Sequence, residues 1–266
     1  MAVDNKFLVK KIKGLAKAFV MFSRVTRHPF AICDEETFDD QLWLFSTEQG
    51  VKDTAQKFLE KGYPIYGVTF EKEKLGSFFA EAHALGLNQI VFMDGDRKSC
   101  VSLTEIMPEP DFSNLPVERQ PVLNPSLQLS SLYFMQELSR QIPAEEKTNL
   151  QELEEELAAN LSKSRLMIPV VGKKLFKPGD KLEQGSFDLT FVKDKEGVMF
   201  LPVFTDVLEF NLFNDKKQFQ GVVMTIDQLR PLVQGQCKGM IVNPRSMALK
   251  LTPKMIDGIL KRFFEF

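Results

Sequence analysis

The sequence predicts an α+β fold built from two tandem homologous αβ repeats, each a mixed β-sheet with packed helices. Three observations support this interpretation. A helical segment precedes a strand in both halves, a strand-turn-strand pattern follows it in both, and RKSCVSLTEIM from Arg97 aligns without gaps on RSMALKLTPKM from Arg245. An α/β fold is the alternative.

The first repeat opens with four apolar residues at helical spacing, namely Leu8, Ile12, Leu15 and Phe19, and continues into the strand FVMFSRV. A short strand over 30–33 and the strand QLWLFST then predict a hairpin. A helix over 47–61, the strand YPIYGVTF, a helix around Phe78 and the strand NQIVFMDG complete the repeat. Its order is therefore α-β-β-β-α-β-α-β.

The second repeat follows the same order. Its opening helix carries an apolar series at helical spacing, Leu150, Leu153, Leu157 and Leu161. The strand LMIPVVG, a hairpin of 187–192 with MFLPVFTD, a helix over 206–217 and the strand FQGVVMT come next. A helix around Leu229 and the strand KGMIVNP follow, and a last helix begins with Thr252 as N-cap and Pro253 at its first position.

The boundaries follow from the prolines between the halves. Five of them, Pro108, Pro110, Pro116, Pro121 and Pro125, prevent a regular helix or a central strand. The predicted domains are therefore residues 1–107, a Pro-rich linker with a connecting helix (129–141) over 108–144, and residues 145–266. Thr148 with Gln151 matches a capping box that opens the second repeat.

Composition excludes several classes of protein. The 34 Lys and Arg are balanced by 36 Asp and Glu, so no positive excess favours nucleic acid or an acidic membrane surface. The start of the chain lacks the apolar core of a secretory signal, and no apolar run approaches the ~20 residues that span a bilayer. Three widely spaced cysteines, Cys33, Cys100 and Cys237, lie in apolar stretches typical of reduced, buried thiols. We therefore predict a cytoplasmic protein with neither a nucleic-acid nor a membrane partner.

The second half resembles a known family. The order LMIPVV, FLPVFTD, GVVMTIDQLRPLV and CKGMIVNP followed by LKLTP is similar to the bacterial SseB family, named for enhanced serine sensitivity. The resemblance covers about residues 153–253. Over 19–104, LWLFST replaces LPVFTD and FMDGD replaces IVNP, so the first half resembles a diverged copy. The resemblance implies a compact αβ module of bacterial cytoplasmic proteins, often in tandem, with no established catalytic residues or cofactor.

Motifs for catalysis are scarce. The sequence contains no G-x-x-x-x-G-K-[ST] or G-x-G-x-x-G loop, and its two histidines, His28 and His83, do not form an H-x-x-x-H pair. Asp94 and Asp96 after a strand could begin a metal-dependent site. A strand-closing turn is the favoured interpretation, because Asp-Gly is a common turn sequence and the counterpart Asn243-Pro244 lacks carboxylates. We predict no cofactor, no metal ligand and no catalytic residue.

Two further polar segments have structural explanations. Thr205 or Asp206 is expected to cap the helix that follows it. The insertion from Gly172 to Gly185 contains four lysines, Lys173, Lys174, Lys177 and Lys181. These lysines predict a solvated hairpin tip or a contact for an acidic partner.

The sequence thus favours a non-catalytic protein-binding or adaptor module, with a protein as its partner and self-association into a homo-oligomer left open. The alternative is an enzyme with a small-molecule or metal site near Asp94 and Asp96 or in a cleft between the repeats. The two opening helices carry opposite charges, which either steer association or are ordinary solvated faces. The candidate interaction residues are Lys10, Lys11, Lys13, Glu154, Glu155 and Arg245.

Overall fold

The chain forms an α+β structure of two compact units in the computed structural model, which describes residues 5–172 and 187–264. Unit 1 comprises residues 1–110 and 128–153, and unit 2 comprises residues 111–127 and 154–266. The segment predicted to be a linker is therefore divided between the units. Within the described ranges, no helix is both long and apolar enough to cross a membrane.

Unit 1 is built on one mixed sheet. Its elements are α1 (Lys6–Lys13), β1 (Lys17–Ser23), β2 (Ala31–Cys33), β3 (Asp40–Phe45), α2 (Glu48–Glu60), β4 (Ile65–Glu71), α3 (Lys72–Ala84), β5 (Gln89–Asp94), β6 (Arg97–Ser102) and α4 (Leu103–Ile106). The strand order is β4-β1-β3-β5-β6, and β2 pairs with β3. The β3–β5 pair is parallel and the other pairs are antiparallel, as a mixed sheet requires.

Helices cover both faces of this sheet. Met21 joins a buried cluster that includes Val51 of α2, whereas the adjacent Phe22 contacts Phe78 of α3 with ring centroids 6.3 Å apart. Consecutive strand residues point to opposite faces, so α2 and α3 lie on opposite sides. The opening helix is shorter than the apolar spacing predicted. It ends at Lys13, and Phe19 belongs to the strand β1.

The connecting segment contains α5 (Pro125–Leu138) and short 3-10 turns at Val117–Arg119 and Ala144–Glu146. Proline is tolerated in the first turn of a helix, and α5 therefore begins at Pro125 rather than near the predicted residue 129. In unit 1, Gln136 closes the edge strand β2, since its Oε1 accepts from Ala31 N at 3.0 Å and its Nε2 donates to Ala31 O at 2.9 Å. In unit 2, Val122 O accepts from Val207 N at 3.1 Å.

Unit 2 contains a second mixed arrangement of strands. Its elements are α6 (Leu150–Lys163, which begins in unit 1), β7 (Leu166–Gly172), β8 (Phe187–Leu189), β9 (Val192–Lys193), β10 (Met199–Val203), α7 (Val207–Phe213), β11 (Gln220–Met224), α8 (Ile226–Leu229), a 3-10 turn (Arg230–Leu232), β12 (Cys237–Val242), β13 (Leu249–Leu251) and α9 (Pro253–Phe264). A bridge between Met167 and Phe204 links β7 to the end of β10.

The two units share one strand order. When the bridge between Met167 and Phe204 is counted as a strand contact, the strand order of unit 2 is β11-β7-β10-β12-β13. This order matches β4-β1-β3-β5-β6 of unit 1 position by position. The pairing directions also agree, because β10–β12 is parallel and β7–β11 and β12–β13 are antiparallel. The two units are therefore built on one topology.

Several local predictions need correction. Each unit has one strand more than predicted after its last expected strand, β6 in unit 1 and β13 in unit 2. The predicted strand over 187–192 is divided, since β8 pairs with β7 and β9 pairs with β10. The residue directly before α6 is Asn149, with φ 55°, rather than Thr148. Cys33 and Cys100 are exposed, and only Cys237 is the buried thiol that was expected for all three.

Candidate functional site

A buried polar network lies where β10 and β12 end. These strands are parallel neighbours, and their carboxyl ends therefore meet at one edge. Thr205 and Asp206 follow β10 and Asn243 follows β12, and each is at most 1% exposed. Asn243 Oδ1 accepts from Thr205 N at 3.0 Å, and Asn243 Nδ2 donates to Thr205 Oγ1 at 2.8 Å. One side-chain amide thus holds the two strand ends together.

Asp206 caps α7, as the sequence predicted. Its Oδ1 accepts from the backbone N–H groups of Leu208 and Glu209 at 2.8 and 2.9 Å. Thr205 Oγ1 donates to its other oxygen at 3.1 Å. The carboxylate therefore satisfies helix N–H groups that would otherwise have no partner within the helix.

The same network fixes the turn over residues 243–248. Ser246 Oγ donates to Glu209 Oε1 at 2.8 Å, and Ser246 N and Ala248 N both donate to Asn243 O at 3.0 Å. Asn243 and Ala248 both have φ 48°, which bends the chain sharply at each end of the turn. The buried polar groups shape a loop, and that loop carries Arg245.

Arg245 lines a cleft of about 560 Å³ in unit 2, which we call the unit 2 cleft. Its basic lining residues are Lys193, Lys195, Arg245 and Lys250, and its acidic ones are Asp194 and Glu196. The cleft therefore has an excess of two positive charges, although the whole chain carries −2. Its volume is in the usual range for small-ligand and side-chain pockets.

Apolar side chains form the deeper part of the unit 2 cleft. Ile241 is 8% exposed, and Val192, Phe213, Pro244 and Ala248 are half-buried, whereas the lysines and Arg245 are exposed. Charged groups thus surround an apolar floor. Such an arrangement suits a ligand that combines negative charge with an apolar group.

One wall of the cleft is the turn between β9 and β10. Asp194 Oδ1 accepts from the N–H groups of Glu196 and Val198 at 3.0 and 2.9 Å, and Lys250 Nζ donates to its Oδ2 at 2.7 Å. The hydrogen bond from Lys250 is the largest influence that lowers the pKa of Asp194. Lys250 also lies over the ring of Phe200, 5.1 Å from its centroid. Asp194 thus holds the turn together through backbone N–H groups and links it to Lys250 of β13.

The equivalent edge of unit 1 ends differently. Asp94 is the last residue of β5 and pairs with Arg97 across a two-residue turn, in which Gly95 has φ 59° and Asp96 is exposed. The predicted strand-closing turn is confirmed. Asp94 forms an ion pair with Lys11, and the hydrogen bond from Lys11 lowers the pKa of Asp94. Among the described residues, no group of three His, Cys, Asp or Glu side chains is arranged to hold a metal ion.

The other candidate residues lie on helices. Lys10 and Lys13 line a shallow groove along α1 beside Glu105, and Lys11 is the partner of Asp94. Glu154 and Glu155 are exposed on α6, where Glu155 pairs with Arg262 of α9 at 3.3 Å. Glu154, Glu155 and Arg245 thus belong to unit 2, and the three lysines belong to unit 1.

Some predicted and observed features do not coincide. The four insertion lysines, Lys173, Lys174, Lys177 and Lys181, lie outside the described residues. His83 has a structural contact, since its Nε2 is 2.7 Å from Met107 O. Sequence reasoning missed Lys193, Lys195 and Lys250 as cleft residues. The D-K-E-G turn was the available signal, but the pairing of β9 with β10 and β12 with β13 was needed to bring these lysines to one place.

These features define an α+β domain with a polar network at the ends of two parallel strands and a basic cleft beside it. Residues 144–257 match the family model described as the SseB protein N-terminal domain. This match confirms the resemblance of the second half to the SseB family that its sequence motifs indicated.

The comparisons with curated proteins and with solved structures do not add a second family. No curated protein matches the chain. Among solved structures, Tic22 from Plasmodium falciparum aligns over 96% of both chains at 10% identity with a TM-score of 0.21. Anabaena Tic22 (protein transport) aligns over 86% of this chain and 87% of its own at 7% identity, also with a TM-score of 0.21.

Proposed function

We propose that the protein is a non-catalytic protein-binding module and that the unit 2 cleft binds an acidic segment of a partner protein that carries an apolar side chain. The observation that supports this most is the excess of positive charge around an apolar floor. Basic side chains at the rim attract and orient an acidic segment, and the floor provides the buried area that gives affinity.

Three of the carboxylates that would suit an enzyme have other partners. Asp206 caps α7, Glu209 accepts a hydrogen bond from Ser246, and Asp94 pairs with Lys11. A general acid or base must reach its substrate, and Asp206 and Glu209 are buried. These contacts support a structural role for the acidic residues and therefore a binding function for the domain.

We also infer that the two units are copies of one ancestral module. Their shared strand order and pairing directions support this inference. Unit 2 has the SseB-type sequence, and unit 1 would be the diverged copy. A cytoplasmic location is part of the same proposal, because the free thiols Cys33, Cys100 and Cys237 suit a reducing compartment.

The proposal can be tested by selecting random displayed peptides on the immobilised full-length protein. We expect the selected peptides to be enriched in Asp and Glu around an aromatic or large aliphatic residue. A labelled selected peptide is then titrated by fluorescence anisotropy against the wild type and against the double variant Lys193→Glu, Lys195→Glu. Reversal of two rim charges should weaken binding by at least about tenfold, and the loss should shrink as salt is added.

A matched control uses the exposed α9 residues in the variant Lys254→Glu, Lys261→Glu. It makes the same change in net charge within unit 2 but away from the cleft lining. Its affinity for the peptide should stay within about twofold of the wild type, as expected for screened surface charges. The proposal is wrong if the selected peptides lack acidic residues or if both variants weaken binding equally.

A further inference from the structure

The turn between β2 and β3 is strongly acidic. Five carboxylates lie within seven residues, Asp34, Glu35, Glu36, Asp39 and Asp40, and this stretch contains no basic residue. Glu35 and Glu36 are exposed. We call residues 34–40 the acidic tip. Its charge is opposite to that of the unit 2 cleft.

Phe38 stands out within the acidic tip. Its side chain is 75% exposed, and its backbone has φ 58°, a conformation that bulky residues rarely adopt. Glycine or asparagine would adopt this φ at lower cost, so local folding does not account for a phenylalanine here. An exposed aromatic ring in such a position is the type of side chain that anchors protein interfaces.

The tip holds Phe38 on a rigid scaffold. Phe38 N donates to Asp34 O and Asp34 N donates to Asp39 O, both at 2.9 Å. Asp34 Oδ1 also accepts from the N–H groups of Glu36 and Thr37 at 3.1 and 3.0 Å. The backbone N–H groups of Thr37 and Glu36 are the main causes that lower the pKa of Asp34. A preorganised tip loses little conformational entropy on binding.

The unit 2 cleft is a better receptor for this tip than the groove along α1. Both are lined by several basic residues, but among the described residues that line the α1 groove Val9 is the one apolar side chain. The cleft presents five apolar residues to an aromatic ring, including Phe213 and Ile241. Charge complementarity and the apolar floor therefore both favour the cleft.

We infer that the acidic tip of one copy docks into the unit 2 cleft of a second copy, with Phe38 on the apolar floor and Glu35 and Glu36 facing the lysines of the rim. The occupant we infer is a second copy, because the acidic tip complements the basic cleft in charge and Phe38 is uncovered within its own chain. This inference rests on the proposed function of the cleft. The contact joins two different surfaces, and it produces head-to-tail assemblies of the chain.

The test is sedimentation velocity of the full chain across a concentration series at low salt. We expect the wild type to show concentration-dependent association that weakens as salt is raised. Phe38→Ser in the tip and Lys193→Glu, Lys195→Glu in the cleft should each weaken association by at least about tenfold. The control Phe7→Ser removes an equally exposed phenylalanine (80%) from α1, and association should be unchanged.

A mixture of the tip variant and the cleft variant tests directly whether the tip of one copy binds the cleft of another. The tip variant keeps its cleft and the cleft variant keeps its tip, so an equimolar mixture should form heterodimers although each variant alone is monomeric. Circular dichroism and thermal melts check that both variants remain folded.

Three results would overturn the inference. They are a wild type that is monomeric throughout, a mixture that stays monomeric, and association that is lost on Lys10→Glu, Lys13→Glu but kept in both the tip and the cleft variants. If acidic peptides still bind the cleft in any of these cases, the proposed function stands and only the identity of the partner is wrong.

Discussion

Glu137 is a buried carboxylate in unit 1 whose partners come from three places in the sequence. Tyr63 donates its hydroxyl to Glu137 Oε2 at 3.0 Å, and Arg140 Nη1 and Thr148 N each donate to Oε1 at 2.9 Å. Glu137 is only 5% exposed, and these donors compensate for its lost hydration. Burial, followed by the nearby charge of Glu137, raises the pKa of Tyr63 to about 12.

This pKa predicts a loss of stability in alkali. The folded state favours neutral Tyr63, so its contribution is complete below the ordinary pKa of 10 and is lost as the pH rises through about 12. Urea unfolding of the wild type should therefore show a stability that falls across this window. Tyr63→Phe lacks the titrating hydroxyl and should show a smaller fall, although it starts less stable because it loses the hydrogen bond. Parallel pH curves for the two proteins would contradict the assignment.

Residue-level prediction from sequence succeeded at the start of α7, where the partners are local, and failed at the start of α6. The cap by Asp206 bonds to N–H groups two and three residues away, and the sequence T-D before an apolar run predicted a cap at Thr205 or Asp206. The pairing of Asn243 with Thr205 spans 38 residues and that of Gln136 with Ala31 spans 105. Such contacts depend on strand order, which side-chain patterns within one segment do not encode.

At the scale of elements, the β12–β13 pair depends on one glycine. Gly239 has φ 157°, and a Cβ placed on it would lie 2.3 Å from Leu251 O. The contact is with backbone, which cannot rotate away as a side chain could. Any larger residue must therefore push the two strands apart and displace β13, which carries Lys250.

Gly239→Ala should destabilise the protein by about 1–3 kcal/mol through this overpacking. The matched control is Gly258→Ala in α9, where a Cβ meets nothing within 4 Å. That change should stabilise the helix by about 0.5–1 kcal/mol, because alanine loses less backbone entropy than glycine. Thermal melts of both variants compare the effects directly. A Gly239→Ala protein as stable as the wild type would show that the strands can separate without cost.

Helices and long strands were predictable, and the short closing strands were not. α6 begins and β7 spans where the leucine spacing and LMIPVVG placed them. β13 has three residues, and although LKLTP alternates apolar and polar residues, so short a segment had no place in the predicted order of elements. The lysines of the cleft were not predicted for the same reason. Lys250 lies in β13, and Lys193 lies in the two-residue strand β9.

At the scale of the molecule, neither unit is a continuous stretch of chain. Residues 128–153 belong to unit 1, while 111–127, between the two parts of unit 1, belong to unit 2. Tyr133 donates to Asp40 Oδ1 at 2.7 Å, and Gln136 and Glu137 bond to β2 and Tyr63. A boundary drawn at residue 107 thus separates unit 1 from polar partners that its buried groups require.

A fragment of residues 1–107 should therefore be less stable than a fragment of residues 1–153. Loss of residues 128–153 leaves Ala31, Asp40 and Tyr63 without these hydrogen bonds. Urea unfolding followed by the fluorescence of Trp43, the single tryptophan, should give a clearly lower midpoint for the shorter fragment. Equal midpoints would mean that residues 128–153 add nothing to the stability of unit 1.

The position of Gln136 after all the strands of unit 1 also has a consequence while the protein is being synthesised. All strands of its sheet have been made by Ser102, yet Gln136, which closes the edge strand β2, follows 34 residues later. Until then the nascent chain presents an open strand edge, the kind of surface that pairs with other chains. We therefore expect a chain truncated between residues 102 and 136 to aggregate more readily than the full chain.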